Sequence, residues 1–282
     1  MPSIVYNASV DYLTTTWPVA MKDSPLPEPS VLIDWARKQS KDAGATFWVK
    51  AWTWQGYVGW SVGPLSWGQR IDSTIVRASG RAAAQWFANR FPIGHNVSRL
   101  DIQATVWIVS EVDARIALHN EQALQKRETL ANRPYKVRLV KGFGDGDTLY
   151  LGARTSELFI RIYNKEKEQA SDENYQGAIR YECELKNETA LRIAQRLAQS
   201  AGAADDVAEF VAGYCLSRGV VLDVRRASDA AYLPYTGKSA GDLESSLVWL
   251  TTQVAPTIRR LRREGYLEQA LLALGVSRED LD

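Results

Sequence analysis

Alternating apolar and polar residues dominate the first two thirds of the chain, and this pattern predicts β-strands. The alternation is clearest in three segments, at residues 96–108, 158–164 and 179–185. Because successive strand residues point to opposite faces of a sheet, each segment has one apolar and one polar face. The pattern therefore predicts three half-buried strands.

Weaker strand signals lie on either side of these segments. Residues 4–15 alternate loosely, and we interpret Asp11 within them as a solvated strand end. Short strands are predicted at 135–140 and 149–151, and glycines break the aromatic-rich residues 45–78 into hairpins. Together these segments predict an antiparallel sheet.

The hairpin segment is rich in aromatic side chains. They are Phe47, Trp48, Trp52, Trp54, Tyr57, Trp60 and Trp67. Packing in the core of the sheet is the simpler interpretation of these residues. The alternative is a platform on which unpaired nucleic-acid bases stack.

Helical periodicity separates and follows the strands. The predicted helices are at 30–43, 80–91, 111–132, 188–201, 204–217, 241–264 and 266–274, with one short strand at Val220–Val224. The sequence therefore predicts an α+β fold in two parts. Residues 1–186 form an antiparallel-sheet core with flanking helices, and residues 187–282 form a mainly helical C-terminal region.

Composition indicates a folded chain without an excess of charge. The 282 residues are 45% hydrophobic, include ten tryptophans and carry a net charge of +1, so any nucleic-acid binding must come from clustered charge. Two cysteines form no disulfide framework, and we see no signal peptide, which predicts a cytoplasmic protein. No apolar run is long enough to predict a membrane span or a membrane partner.

Positive charge is clustered near the C-terminus. The cluster comprises Arg225, Arg226, Arg259, Arg260, Arg262 and Arg263. The last four lie within about one and a half helical turns. A solvated helix face and a contact with DNA phosphates both fit this pattern.

The segment 158–164 places a tyrosine between two cations. Tyr163 is two residues from both Arg161 and Lys165, and these side chains are predicted to share a strand face with Phe159. A phenol has a pKa near ~10 and needs a metal or nearby cations to act as a nucleophile in phosphoryl chemistry. The pattern fits either a packed tyrosine on a half-buried strand or a nucleophile beside two phosphate-binding cations.

Carboxylates occupy the polar faces of the other two strands. Asp101 shares its face with Arg99, and Glu182 and Glu184 share theirs with Arg180. A carboxylate in mid-strand requires solvent, an ion pair or a metal, and hard divalent metals prefer oxygen ligands. Salt-bridged strand faces and a metal site are therefore the two interpretations.

Several common sites are missing from the sequence. His95 and His119 are not spaced as the His-x-His pair with which one class of DNA-nicking enzymes binds metal. The chain has no nucleophile elbow typical of Ser-His-Asp hydrolases and no cysteine–histidine cluster for zinc. The glycines in residues 142–146 join two strands and lack the ending of a phosphate-binding loop.

Three motifs together resemble the replication initiation factor, or Rep-trans, family. They are SRLDIQATV at 98–106, TLYLGARTSELFIRIYNKEKE at 148–168 and IRYECELK at 179–186. The resemblance is strongest over residues 96–186 and extends more loosely to 56–80 and 249–261. This family includes rolling-circle plasmid replication initiators and relaxases of conjugative elements.

The resemblance implies a metal-dependent nicking enzyme. Tyr163 would cut one DNA strand, which leaves a 5′-phosphotyrosine link and a free 3′-OH. Asp101 and Glu182 would bind Mg²⁺ or Mn²⁺, with Glu184 as a further ligand.

Phosphate contacts are also implied by the resemblance. Arg161 and Lys165 would hold the scissile phosphate, and Arg154 and Ser156 would hold a flanking phosphate or shape their turn. Relatives often carry a second acid where this chain has Thr105.

The same resemblance implies the partners. These are DNA at an origin of replication or transfer, single-stranded at the nick, with a helicase and a second copy of the chain as further candidates. Residues 1–186 would be the nicking core, and residues 187–282 would contact DNA. Two alternatives to a nicking enzyme remain. One is a non-catalytic DNA-binding regulator of the same fold, and the other is a carbohydrate-binding or structural aromatic sheet protein.

Overall fold

The computed structural model describes residues 6–18, 26–27, 29–42, 49–108, 111–130, 135–142, 144, 146–222 and 263. The chain divides into two compact units, Met1–Leu233 and Pro234–Asp282. Every element named below lies in the first unit. In the second unit the structure describes only Arg263, an exposed helical residue. Apart from that residue, the helices predicted at 241–264 and 266–274 lie outside the described residues.

One antiparallel sheet of ten strands organises the described part of the first unit. Its strands are β1 (Tyr6–Trp17), β2 (Val49–Trp54), β3 (Tyr57–Val62), β4 (Leu65–Arg70), β5 (Ser73–Ser79), β6 (Asn96–Trp107), β7 (Val137–Val140), β8 (Thr148–Leu151), β9 (Leu158–Asn164) and β10 (Ala178–Lys186). Their order across the sheet is β2-β3-β4-β5-β1-β6-β10-β9-β8-β7. The predicted α+β fold with an antiparallel sheet is confirmed.

Helices connect and cover the strands. They are α1 (Pro29–Asp42), α2 (Arg81–Ala88), α3 (Val112–Glu128), α4 (Lys165–Glu168), α5 (Asn187–Gln199) and α6 (Ala204–Ser217), with a 3-10 turn at Glu173–Tyr175. The five long helices were predicted from the sequence, and α4 was not. The short strand predicted at Val220–Val224 is not formed over residues 220–222, which are its described part.

The central strands have one apolar face, and helices pack on it. Its buried residues on β6 and β10 are Leu100, Ile102, Ala104, Val106, Ile179, Tyr181, Cys183 and Leu185. Helix α5 packs on β6 and β10, and α6 packs on β1, β6 and β10. Burying a large apolar side chain stabilises a fold by ~1.5–3 kcal/mol. A shift of the strand register by one residue would move all of these side chains to the other face, so it would be very costly. The pleat therefore directs the alternate polar residues to the opposite face.

A buried histidine joins α3 to the apolar face of β10. His119 Nε2 lies 2.8 Å from the Tyr181 hydroxyl, and its Nδ1 lies 3.0 Å from Gln122 Oε1. His119 is fully buried, and this burial lowers its pKa from 6.5 to about 4. The imidazole therefore stays neutral in the folded protein at pH values where the unfolded chain is protonated.

This difference predicts an acid-sensitive step in stability. Between pH 6.5 and about 4 the unfolded state binds the extra proton, so folding stability falls as the pH falls through this window. We expect His119 to account for a loss of about 3 kcal/mol by pH 4. Denaturant unfolding of His119→Gln across this range should show a flatter pH dependence than the wild type.

His95 provides the matched control for this measurement. It is the other of the chain's two histidines and is exposed. His95→Gln should keep the wild-type pH dependence. If the stability of His119→Gln falls with pH as steeply as that of the wild type, other groups cause the effect.

Candidate active site

The polar face of the central strands gathers the predicted site residues. Strand register places Glu182 of β10 opposite Arg161 of β9 and Gln103 of β6, and Glu184 opposite Asp101. Residues that pair directly across antiparallel strands lie on the same face of the sheet. The structure thus brings acids and cations from three predicted strands together on one surface.

Tyr163 is held by the carboxylate of Glu182. The Tyr163 hydroxyl donates a hydrogen bond of 2.7 Å to Glu182 Oε1, and Arg161 forms an ion pair with Oε2 of the same group. Burial raises the pKa of Tyr163 well above 10, and the nearby Glu182 charge raises it further. The phenol is therefore neutral at rest, with its proton directed at a carboxylate.

Lys165 differs from its predicted position on the strand face. Strand β9 ends at Asn164, whose side chain accepts a hydrogen bond of 2.9 Å from the Lys167 backbone N–H and starts α4. Lys165 is the first residue of that helix, so the prediction that it continues the strand is wrong. Its ammonium pairs with Glu168 and lies 5.9 Å from the centre of the Tyr163 ring. A positive charge is therefore present beside Tyr163, although another element supplies it.

Asp101 and Glu184 share a single arginine. The Arg99 guanidinium lies 2.6 Å from Asp101 and 3.2 Å from Glu184, and Lys186 lies 2.9 Å from the other oxygen of Glu184. Burial raises the pKa of Asp101, Arg99 opposes this shift, and Glu184 adds to it. The salt-bridge interpretation of these strand faces is what the structure shows.

A further acid was missed as a site residue. Asp11 lies in the middle of β1, where the pairing with β6 shifts register between Val10 and Tyr12, so its assignment to a solvated strand end is wrong. Burial raises the pKa of Asp11, and the Glu182 charge raises it again. Asp11 also raises the pKa of Asp101, so it lies within electrostatic reach of both acids. The signal was available, because a carboxylate inside a strand is as costly here as at Asp101.

The acids provide the donor chemistry of a hard divalent metal. Asp11, Asp101, Glu182 and Glu184 offer only oxygen ligands, which Mg²⁺ and Mn²⁺ favour. Burial and repulsion between the acids raise the pKa values of Asp11 and Asp101. A cation bound among the acids would offset both effects by stabilising the negative charges. Within the described ranges, no three or more His, Cys, Asp or Glu side chains already form a coordinating group. Arg99, Arg161 and Lys186 balance much of the acidic charge instead.

Arg180 and Thr105 form a separate polar network. Arg180 was expected to pair with the glutamates of its own strand, but its Nε donates a 2.9 Å hydrogen bond to Thr105 Oγ1. Thr105 in turn donates to Gln103, and Gln103 donates to Ser9. Thr105 therefore connects Arg180 of β10 to neutral groups of β6 and β1.

The turn between β8 and β9 separates the roles of Arg154 and Ser156. Ser156 Oγ accepts a 3.0 Å hydrogen bond from the Ala153 backbone N–H and donates to the Leu158 carbonyl at 3.2 Å, so it shapes the turn. Arg154 is exposed, and its guanidinium lies 6.0 Å from the Phe159 ring on the face of Tyr163. Its availability for a phosphate stays a prediction.

The predicted C-terminal DNA contacts fall mostly outside the described residues. This applies to Arg225, Arg226, Arg259, Arg260 and Arg262, while Arg263 is described as exposed. In the part of the chain that the structure covers, no helix is long and apolar enough to cross a membrane.

The family comparison agrees with the resemblance of the motifs. The family model described as replication initiation factor matches residues 96–271. A solved structure of a rolling circle replication initiator protein from Geobacillus stearothermophilus is similar at 19% identity and a TM-score of 0.49. The match covers 83% of this chain and 90% of that one. No curated protein sequence matches the chain.

Proposed function

The chain belongs to the replication initiation factor family, and from that premise we propose that it initiates rolling-circle replication, or acts as a relaxase, by nicking one DNA strand with Tyr163. The contact that carries this proposal is the 2.7 Å hydrogen bond from the Tyr163 hydroxyl to Glu182. It gives the phenol a proton acceptor in place. The expected products are a 5′-phosphotyrosine link and a free 3′-OH.

The raised pKa of Tyr163 determines how the proton must leave. A phenol whose ionisation is suppressed by burial and by Glu182 supplies very little phenolate in advance. We assign Glu182 as general base, which takes the proton while Tyr163 Oη attacks the phosphorus. The bond between phosphorus and the 3′-oxygen breaks, and that oxygen leaves and takes a proton from water. One phosphodiester replaces another, so the nick can later be resealed.

Arg161 and Lys165 provide the positive charge for this step. The side chain of Arg161 is 40% exposed while it pairs with Glu182, so one side of the guanidinium faces the space that a phosphate would enter. Protonation of Glu182 weakens that ion pair and leaves more of the Arg161 donors for the developing charge. Lys165, beside the Tyr163 ring, favours the phenolate as it forms.

A divalent metal would be held next to this pair. We assign it to Asp101 and Glu184, with Asp11 as the added ligand and Glu182 as their neighbour. When bound, Mg²⁺ or Mn²⁺ would polarise a phosphoryl oxygen of the scissile group. Glu182 accepts the hydrogen bond of the Tyr163 hydroxyl, which is why we give Glu182 the proton rather than the metal.

The alternative function is a DNA-binding regulator of the same fold that does not nick. The ion pairs that Asp101, Glu182 and Glu184 form with arginines are the observation in its favour. A protein of this kind would bind DNA without forming a covalent product.

End-labelled DNA tests the two functions directly. The protein is incubated with Mn²⁺ or Mg²⁺ and a pool of randomised single-stranded oligonucleotides, labelled at either the 5′ or the 3′ end. Nicking by tyrosine should transfer only the 3′-labelled fragment to the protein and leave the 5′-labelled fragment extendable by a polymerase. Supercoiled plasmid DNA serves as a second substrate. Binding of DNA without a covalent product would support the regulator.

The C-terminal arginines allow a further prediction. Replacing Arg259, Arg260, Arg262 and Arg263 by alanine should weaken binding to all DNA sequences alike and flatten its salt dependence. The slope of log affinity against log salt should become shallower by about 0.9 for each phosphate that the variant no longer neutralises. Some of these stems can cover apolar surface, so we expect a partial effect. Titrations at several salt concentrations measure it, and an unchanged slope would show a solvated helix face.

A further inference from the structure

A surface of arginine and aromatic side chains lies on the same face of the sheet as the candidate active site, across strands β2–β5. We name it the aromatic platform, and its members are Trp52, Trp54, Tyr57, Arg70 and Arg77. We propose that it stacks unpaired bases of the DNA strand that enters the site. The proposal rests on the proposed function and adds a second place where the substrate is held.

Strand register puts the platform on the site's face. Arg99, beside Asp101, pairs across the sheet with Thr14, and Thr14 pairs with Arg77. Paired residues share a face, so Arg77 points to the same side as the acids. Trp52 pairs with Gly59, Gly59 with Gly68, and Gly68 with Ile75 of β5. Ile75 is two residues from Arg77 and shares its face, so Trp52 lies on this face as well.

Two glycines make room for Trp52. A Cβ atom at Gly59 would lie 2.6 Å from Trp52 Cζ2, and one at Gly68 would lie 2.5 Å from Trp52 Cη2. Both distances are too short for any side chain, so only glycine lets the indole lie over β3 and β4. The sequence therefore leaves two adjacent positions without side chains beneath one ring.

Cations and rings alternate across the platform. The Arg77 guanidinium lies 4.4 Å from the centre of the Trp54 ring and 5.5 Å from that of Trp52. Trp54 and Tyr57 stack with ring centres 6.5 Å apart and planes 19° apart, and Arg70 lies 5.0 Å from the Tyr57 ring. Base–aromatic stacking and arginine contacts are how proteins bind single strands without reading their sequence.

Tyr57 is buried, but burial does not explain the position of Trp54. Trp67 of β4 points to the opposite face and is buried among the core residues, as the simpler interpretation of the tryptophans predicts. Trp54 is 45% exposed on the site's face. Arg77 forms no ion pair with any other residue that the structure describes, so its charge is available to a phosphate.

The surface continues from the platform to the acids. Arg99 lies 4.6 Å from the ring of Tyr12, which pairs with Asp101 on β6. A cavity of about 190 Å³ between the two regions is lined by Tyr12, Ser66, Arg77 and Ser79, among others. Seven strand spacings separate β9 from β2, roughly 34 Å at about 4.8 Å each. A single strand several nucleotides long can therefore contact both regions, which favours nucleic acid over a carbohydrate.

The test compares two exposed tryptophans on opposite faces of the sheet. Trp54 lies on the platform, and Trp60, which is 51% exposed, pairs with Trp67 and lies on the other face. In a Tyr163→Phe background, Trp54→Ala should weaken binding of a fluorescent oligothymidine by about 5- to 100-fold. Trp60→Ala should bind like the parent, and Trp54→Phe should recover most of the affinity. Arg77→Gln should weaken binding and reduce its salt dependence.

The outcomes separate this proposal from the nicking activity. Equal affinities for Trp54→Ala and Trp60→Ala, or no binding of oligothymidine by the parent, would overturn the platform while adduct formation by wild-type protein stays intact. Absence of the adduct in the wild type with a selective loss of affinity in Trp54→Ala would overturn the nicking activity alone.

Discussion

Tyr163→Phe should abolish the covalent protein–DNA adduct and leave the affinity for single-stranded DNA unchanged. The phenylalanine ring keeps the packing of β9 but removes the oxygen that attacks phosphorus. Loss of a nucleophile lowers such rates by more than about 1,000-fold, because no other group can form the bond. The rate of adduct formation with 3′-labelled DNA measures the first effect, and fluorescence anisotropy measures the second.

Two other tyrosines of the motifs serve as controls. Tyr150 pairs with Arg161 across β8 and β9 and stacks on Phe159, so its hydroxyl lies on the site's face. Tyr181 is buried on the opposite face, where its hydroxyl meets His119. Tyr150→Phe and Tyr181→Phe should both retain the adduct. An adduct that persists in Tyr163→Phe and disappears in Tyr150→Phe would move the nucleophile to Tyr150.

Local alternation was sufficient to predict the central strands and their faces. Strand β9 has the predicted bounds, β6 ends one residue earlier than predicted, and β10 is one residue longer at each end. The prediction worked because each strand has one buried and one polar face, and the two-residue period leaves a single choice of side. That Arg99 and Asp101 share a face followed directly, and their ion pair confirms it.

Contacts between strands were not predictable in the same way. The position of Asp11 depends on a register shift between β1 and β6, which arises only when the two strands pair. The partner of Glu182 likewise depends on the β9–β10 register, which sets it opposite Arg161 rather than beside Arg180. Local sequence gives the face of a residue but not the residue across from it.

Lys165 shows a second limit of the periodic pattern. The alternation continues through Lys165 in the sequence, yet Asn164 caps a helix at that point with its own side chain. Asn is a good cap and a poor strand residue, so the signal was present but local to one position. The prediction was wrong about the element that carries the charge of Lys165. The charge is nevertheless close to Tyr163, because the ammonium lies beside that ring.

Glu182→Gln distinguishes two possible roles of Glu182. It is either the general base, or a charge that only suppresses the ionisation of Tyr163. Glutamine keeps the size of the side chain but does not take the phenol proton. If Glu182 is the base, adduct formation should slow by about 100- to 10,000-fold. If Glu182 only raises the pKa of Tyr163 through its charge, removing that charge should lower the pKa and speed the reaction at neutral pH. The direction of the change in rate therefore decides between the two roles.

The pH and metal dependence of the same variant complete the assignment. Without a base, the glutamine variant must react through phenolate formed by ionisation, so its rate should rise about tenfold per pH unit below the Tyr163 pKa, more steeply than the wild-type rate. The Mn²⁺ concentration for half-maximal rate should stay near the wild-type value, because we assign the metal to Asp101, Glu184 and Asp11. Asp101→Asn should instead raise that concentration. A parallel rise in Glu182→Gln would show that Glu182 binds the metal, and the base would then have to be sought among the other groups around Tyr163.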